Sequence, residues 1–135
     1  MTTMIDSISL KATDRSPSVE FDFATDQLLI TGESYPEDAA AFFGPLLESM
    51  GKYLAQAGGR SVVLDMRMSY FNSSSAKAFM NLFQMLEEAA RKGVEVTINW
   101  RYHPEDDTME EFGEDFAEDF DHASFNLLPD DEVED

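Results

Sequence analysis

A strand, a helix and a second strand follow one another between Ser61 and Trp100, and this order constrains the fold most. Residues 61–68 include three consecutive aliphatic residues, which is typical of a central strand buried on both faces. Apolar residues recur at helical spacing over residues 76–90, and apolar and polar residues alternate over residues 94–100. This order favours a right-handed crossover and a parallel strand pair. We therefore expect an α/β fold.

A hairpin is predicted before this unit. Apolar and acidic residues alternate over residues 19–23, residues 24–26 favour a turn, and residues 27–32 contain three consecutive aliphatic residues. Together these three stretches predict two antiparallel strands. The sequence also allows a short strand at Ile8–Leu10. With the two strands of the crossover, the main sheet is expected to have four strands.

A helix is predicted directly after the hairpin. Ser34 and Glu37 have the spacing of a capping box, and Pro36 suits a first helical turn. We therefore expect a helix from Ser34 to about Gln56. Gly44-Pro45 predicts either a kink or a later start of the regular helix, because proline disrupts a helix interior.

The chain is expected to form one domain with short additions at both ends. Apolar residues at helical spacing predict an amphipathic helix over residues 106–121, and residues 125–128 are expected to form a short docking segment. We divide the chain into an N-terminal segment over residues 1–17, a folded domain over residues 18–128 and an acidic tail over residues 129–135. The expected architecture is a mixed four-stranded sheet with helices mainly on one face.

The charge balance narrows the partners. The chain has 28 acidic and 9 basic residues and a net charge of −19. Such a chain is repelled by nucleic acid and by anionic membrane surfaces, so we expect neither as a partner. The charge either attracts partners with basic patches or only keeps the protein soluble.

The sequence predicts a cytoplasmic protein. There is no cysteine, which excludes disulfides and cysteine-based sites. Residues 1–10 lack the basic and apolar regions of a signal peptide. No apolar stretch approaches the ~20 residues that span a bilayer, so direct membrane insertion is not expected.

The most informative segment is Asn72-Ser73-Ser74-Ser75-Ala76-Lys77, where the central strand meets the crossover helix. A helix start has unpaired amides and the positive end of the helix dipole, and both stabilise a phosphate group. The cluster can therefore accept a phosphate group, but on these residues alone a purely structural role is favoured. The simpler interpretation is that Asn72 and the serines only cap the helix.

An enzymatic function is less well supported. His103 and His122 are the only histidines, and neither has a nucleophile at an informative spacing. The acidic residues over 110–118 lack the spacing of a calcium loop, so we predict no metal site. There is no glycine-rich phosphate loop either. We expect no cofactor and no catalytic residue.

Three blocks of the sequence resemble the SiaC family of bacterial regulatory phosphoproteins, in the same order. They are Gly32-Glu33-Ser34-Tyr35-Pro36-Glu37, then Tyr70-Phe71-Asn72-Ser73-Ser74-Ser75-Ala76-Lys77, and then Trp100-Arg101-Tyr102 with Asp106-Asp107 and Gly113-Glu114-Asp115. The middle block is also similar to the phosphorylatable loop of STAS domains of the anti-anti-sigma-factor type. The resemblance implies a STAS-like fold and a SiaC-like regulatory domain over residues 18–128.

The resemblance implies a switch. Ser73 corresponds to the phosphoacceptor, usually threonine in the family, with Ser74 and Ser75 as alternatives. A SiaB-like protein kinase would add the phosphate, and a metal-dependent serine/threonine phosphatase would remove it. The unphosphorylated form would bind and activate a diguanylate cyclase, which links the switch to cyclic di-GMP and biofilm formation. The candidate partner-binding residues are Tyr70, Phe71, Asn72 and Lys77 of the middle block and Tyr35 of the first block.

Two other functions remain open at this point. One is a STAS-type antagonist of an anti-sigma factor, which keeps the fold and changes the partner. The other is a small metal-dependent hydrolase that uses the acidic C-terminal part.

Overall fold

The computed structural model describes residues 5–134, which form six strands and three helices. In chain order these are β1 (Ile8–Leu10), β2 (Ser18–Asp22), β3 (Gln27–Ser34), α1 (Ala39–Ala55), β4 (Ser61–Phe71), α2 (Ser73–Arg91), β5 (Glu95–Tyr102), α3 (Asp107–Ala117) and β6 (Ser124–Pro129). Residues 1–4 of the expected N-terminal segment and Asp135 of the expected tail lie outside the described residues.

All six strands belong to one mixed sheet in the order β1-β2-β3-β4-β5-β6. The β1–β2 and β2–β3 pairs are antiparallel, and the remaining pairs are parallel. The predicted hairpin is therefore confirmed, and so is the parallel crossover from β4 through α2 to β5.

The expectation of a four-stranded sheet is wrong, because β1 and β6 add a strand at each edge. The short strand at Ile8–Leu10 forms and pairs with β2. Residues 125–128, expected to form a short docking segment, lie inside β6. Exposed and partly buried positions alternate only over the first four residues of β6, so its sequence carries a much shorter signal than the central strands.

One face of the sheet carries the core. Leu28, Leu64 and Ile98 lie side by side in register on β3, β4 and β5, and all three are buried. The helices pack over this face. Trp100 of β5 contacts Phe116 of α3, with ring centroids 5.4 Å apart. A tight aromatic cluster thus fixes the helices on the sheet.

The opposite face of the sheet is polar and partly exposed. Asp65 and Asn99 lie side by side on it in β4 and β5. Asp65 Oδ1 accepts a hydrogen bond from Arg101 Nε at 2.9 Å, and Asp130 Oδ2 lies 3.8 Å from Arg101 Nη1. We call this surface the open face.

The start of α1 differs from the prediction. Its N-cap is Asp38, whose Oδ1 accepts a hydrogen bond from the Ala41 N–H at 3.0 Å. Ser34, which we expected to begin the helix, is the fully buried last residue of β3 and pairs with Phe71. Strand pairing thus overrides the local capping pattern. Pro45 lies within α1, so the helix begins before it.

A close contact holds α3 against β5. The Trp100 Nε1–H donates a hydrogen bond to the Met109 carbonyl at 2.8 Å. A Cβ on Gly113 would lie 2.5 Å from Trp100 Cδ1, so only glycine allows this approach. The helix ends at Ala117, before the predicted end at Asp121.

The last described residues are partly packed. The Asp130 N–H donates a hydrogen bond to the Tyr102 carbonyl at 2.8 Å, and Val133, within the expected acidic tail, is buried. Across residues 5–134, no helix combines the length and the apolar character that crossing a bilayer requires.

Candidate functional site

The candidate site lies where β4 ends and α2 begins. Asn72 is the N-cap of α2, and its Oδ1 accepts a hydrogen bond from the Ser75 N–H at 2.9 Å. The Asn72 N–H donates to the Ser34 carbonyl at 3.1 Å. The first amides of a helix have no acceptor within it. Among residues 5–134, the Ser73 and Ser74 N–H groups therefore remain without a hydrogen-bond partner.

A bulge in β4 sets the direction of the side chains before the helix. The register between β3 and β4 shifts between Gly32 and Glu33, so Ser69 is an extra residue in β4. Such a bulge redirects the residues that follow it. Tyr70 is consequently 48% exposed, whereas Phe71 is 5% exposed and belongs to the core.

The three consecutive serines have different environments. Ser73 and Ser74 are exposed on the first turn of α2, whereas Ser75 is fully buried. The Ser75 hydroxyl forms a hydrogen bond with the Ser34 hydroxyl, with the two oxygens 2.7 Å apart. Of these three hydroxyls, only the first two are therefore accessible from solvent, and Ser75 instead connects α2 to the end of β3.

The candidate partner-binding residues also separate into two groups. Tyr35 and Tyr70 contact each other beside the helix start, with ring centroids 5.8 Å apart. Lys77 is exposed one helical turn after Ser73. Phe71 faces the core, so it supports this surface from inside the domain.

A shallow apolar groove adjoins the serines. Ser74 and Lys77 form part of one wall, and Phe43 and Leu47 of α1 form part of the other. Its volume is about 370 Å³. The structure therefore brings exposed serine hydroxyls, a cation and an apolar groove together on one surface.

Sequence reasoning missed Ser34 as a member of this site. Its local pattern matched a helix cap, and no local signal identified it as a buried partner of a serine 41 positions further along the chain. Its burial after a strand is a consequence of the parallel pairing of β3 with β4.

In the described part of the chain, the fold does not bring together a cluster of residues that would support the alternative enzymatic function. Among residues 5–134, no three His, Asp or Glu side chains form a group that could hold a metal ion. His103 Nδ1 accepts a hydrogen bond from the Glu105 N–H at 3.1 Å. His122 Nδ1 lies 3.1 Å from Glu87 Oε2. Both histidines thus have local structural partners.

The fold and this junction define a mixed α/β domain that presents exposed hydroxyl groups at a helix start. The family described as SiaC family regulatory phosphoprotein matches residues 10–130. The chain therefore belongs to the SiaC family, as its three sequence blocks predicted.

Known proteins from Pseudomonas aeruginosa support this assignment. A protein of uncharacterised function is 34% identical over 112 residues, which cover 83% of this chain and 88% of that protein. The crystal structure of apo-SiaC is similar with a TM-score of 0.81 and 32% identity, over 91% of this chain and 98% of that chain.

A further similar structure contains a partner. SiaC in the crystal structure of the diguanylate cyclase SiaD in complex with its activator SiaC matches with a TM-score of 0.86 and 32% identity. The match covers 91% of this chain and 99% of that chain. The same fold therefore occurs in a protein that activates a cyclase.

Proposed function

We propose that this protein is a phosphorylation-controlled binding module of bacterial signalling in the cytoplasm, with a STAS-like fold and no catalytic activity of its own. A SiaB-like kinase phosphorylates Ser73, and a metal-dependent serine/threonine phosphatase removes the phosphate. The unphosphorylated form binds and activates a diguanylate cyclase, and thereby controls cyclic di-GMP and biofilm formation. The observation that carries this proposal is the exposed Ser73 hydroxyl beside two amides that have no hydrogen-bond partner among residues 5–134.

The helix start suits a phosphate group for three reasons. The Ser73 and Ser74 amides are available as donors, and the helix dipole favours negative charge there. Lys77 lies four residues after Ser73, which is the spacing of side chains that interact on one helix face. A phosphate on Ser73 can therefore be stabilised without moving the core.

The surroundings of Ser73 explain how a phosphate would prevent docking. Tyr35, Tyr70 and the groove beside Ser74 offer aromatic and apolar contacts. A phosphate carries close to two negative charges at neutral pH, and a partner that covers it must remove its hydration. Desolvation and repulsion would thus weaken docking, whereas the neutral hydroxyl allows it.

The SiaC–SiaD complex supports the choice of partner. The relative in that complex shares this fold and about a third of its residues with this chain. We propose a diguanylate cyclase as the corresponding partner here. The alternative antagonist of an anti-sigma factor would use the same hydroxyl, so the identity of the co-purified partner separates the two functions.

Substitutions at Ser73 test the proposal through binding to the diguanylate cyclase of the same organism. We expect Ser73→Ala to bind and activate the cyclase like the wild type, and Ser73→Asp to bind at least about tenfold more weakly. Calorimetry measures the affinity, and cyclic di-GMP production measures activation.

Ser124→Asp is the matched control. Ser124 is an exposed serine at the opposite end of the parallel strands, so the same charge there should leave binding unchanged. Binding of Ser73→Asp with wild-type affinity would contradict the proposed release mechanism. If an anti-sigma factor co-purified instead of a cyclase, the protein would act as an antagonist of that anti-sigma factor.

A further inference from the structure

A second concave site lies on the open face, at the ends of β3 and β4. It has a volume of about 540 Å³, within the range of small-molecule pockets. Its floor consists of residues on these two strands, including Thr31, Arg67 and Ser69. Residues 12–18 and residues 132–134 contribute the walls. We call it the open-face cavity.

Arg67 is the unusual residue in this cavity. Among residues 5–134, every other arginine has a carboxylate oxygen within 4.0 Å, although the acidic residues outnumber the basic ones threefold. Arg67 has no such partner in the described part of the chain, where its Nε is also buried without a hydrogen bond. A buried donor without an acceptor is costly, so a fold that keeps one is expected to provide an occupant.

Two hydroxyl groups share this property with Arg67. Thr31 Oγ1 and Ser69 Oγ are also buried without a hydrogen-bond partner among the described residues. Thr31 lies directly beside Arg67 in the register of β3 and β4, and Ser69 is the bulged residue two positions further along β4. These are all the side-chain atoms of residues 5–134 that are buried in this way, and all three residues line the one cavity.

The donor set indicates the ligand chemistry. A guanidinium group binds a carboxylate through two parallel hydrogen bonds, and the neighbouring hydroxyls can donate to the same oxygens. Asp14, Glu33, Glu132 and Glu134 also line the cavity. Their charges oppose a phosphate dianion and favour a ligand that carries a cation as well.

We propose that the open-face cavity binds a small zwitterion of the amino-acid class, with its carboxylate on Arg67 and its ammonium group towards the acidic residues. This proposal does not rest on phosphorylation of Ser73. It would add a ligand-binding site to the protein on the face of the sheet that the helices leave open.

Heteronuclear NMR of the whole protein tests the site, with the natural amino acids as single probes and with acetate and inorganic phosphate for comparison. We expect at least one amino acid to shift the Arg67 Nε–H signal and the Thr31 and Ser69 amides in a saturable manner. Acetate should bind more weakly than that amino acid, because it lacks the ammonium group, and phosphate should bind more weakly still.

Substitutions assign the binding to the proposed residues. Arg67→Met should abolish the saturable shifts at Thr31 and Ser69, whereas Arg91→Met, at an exposed arginine paired with Glu88, should leave them unchanged. Arg67→Lys keeps the charge and should weaken binding even if Arg67→Met fails to fold. Glu33→Gln should reduce the preference for the amino acid over acetate.

Three outcomes would overturn the proposal. No saturable shift with any probe would identify the cavity as a water-filled space only. If Arg67→Lys and the wild type bound the amino acid equally well, the Arg67 guanidinium would not be the group that binds the carboxylate. Acetate or phosphate binding as tightly as every amino acid would exclude the zwitterion.

Discussion

The two ends of α2 treat negative charge differently. Near its C-terminus, Glu87 places a carboxylate among the backbone N–H groups of residues 121–123, at distances of 2.9–3.1 Å. At its N-terminus, the Ser73 and Ser74 N–H groups have no partner among the described residues. Backbone N–H groups near the C-terminal end of α2 therefore donate to a carboxylate of the protein itself. Those of Ser73 and Ser74 at its N-terminal end have no partner among the described residues.

The C-terminal end of α2 contributes to stability. Partial burial raises the pKa of Glu87, but the Ala123 and Asp121 N–H groups, together with the ring and N–H of His122, outweigh it and lower the pKa to about 2. These contacts fix the loop after α3 onto α2. Backbone donors that are hydrogen-bonded within the domain thus stabilise the fold. The unpaired donors at Ser73 are available to a phosphate group added there.

We expect the largest difference in stability between aspartate substitutions at the buried and the exposed serine in the first turn of α2. Ser75→Asp should destabilise the protein by about 3 kcal/mol, because it buries a charge without a counter-ion and breaks the hydrogen bond with Ser34. Ser73→Asp, two residues earlier and exposed, should stabilise it by about 0.5 kcal/mol through the helix dipole. Urea denaturation at neutral pH measures both. Equal effects at the two positions would contradict the distinction between a buried and an exposed hydroxyl.

The second effect concerns the C-terminal end of α2 and depends on pH. Glu87→Gln should lower the free energy of unfolding by about 2 kcal/mol at neutral pH. Since the folded-state pKa of Glu87 is lowered, its contribution is complete above the unfolded-state pKa near 4.5 and is lost as the pH falls towards about 2. The difference between the wild type and Glu87→Gln should therefore shrink over this acidic range.

Glu111→Gln is the control for this measurement, because Glu111 is an exposed acid on α3. Its effect should be small at every pH. A difference between the wild type and Glu87→Gln that stays constant between neutral and acidic pH would show that the Glu87 charge does not stabilise the loop.

The smallest effect that we expect concerns the N-terminal end of α2 when Ser73 carries a phosphate. With phosphate on Ser73, the amides and Lys77 should hold the second phosphate pKa below its usual value of about 6. Lys77→Gln should raise that pKa by about 0.3, which corresponds to an exposed pair one helical turn apart. Phosphorus NMR during a pH titration measures the change, with Lys92→Gln as the control. An unchanged pKa in Lys77→Gln would remove Lys77 from the phosphate's surroundings.

The central elements of the fold could be predicted because their signals are local and strong. The crossover from Ser61 to Trp100 combines an aliphatic run, helical spacing and strict alternation. The helix start at Asn72 was also predictable, because an asparagine cap accepts its hydrogen bond only three residues ahead. These features depend on neighbours in the sequence, so the sequence alone can show them.

The features that escaped prediction depend on distant partners. Ser34 matched a capping box, but its pairing with Phe71 places it in a strand. The bulge at Ser69 changes the alternation, so the burial of Phe71 could not be derived from its position. β6 is an edge strand whose alternation covers only four residues, and its parallel pairing with β5 leaves no local signal.

Site mapping of phosphate on the intact protein tests whether Ser73 is the phosphoacceptor. The protein is incubated with the kinase fraction of its own cells and ATP, and the peptide over residues 71–77 is examined by mass spectrometry. We expect phosphate on Ser73, loss of that signal in Ser73→Ala, and no phosphate on the buried Ser75. An unmodified segment, or phosphate on Ser75 with Ser73 unmodified, would contradict this expectation.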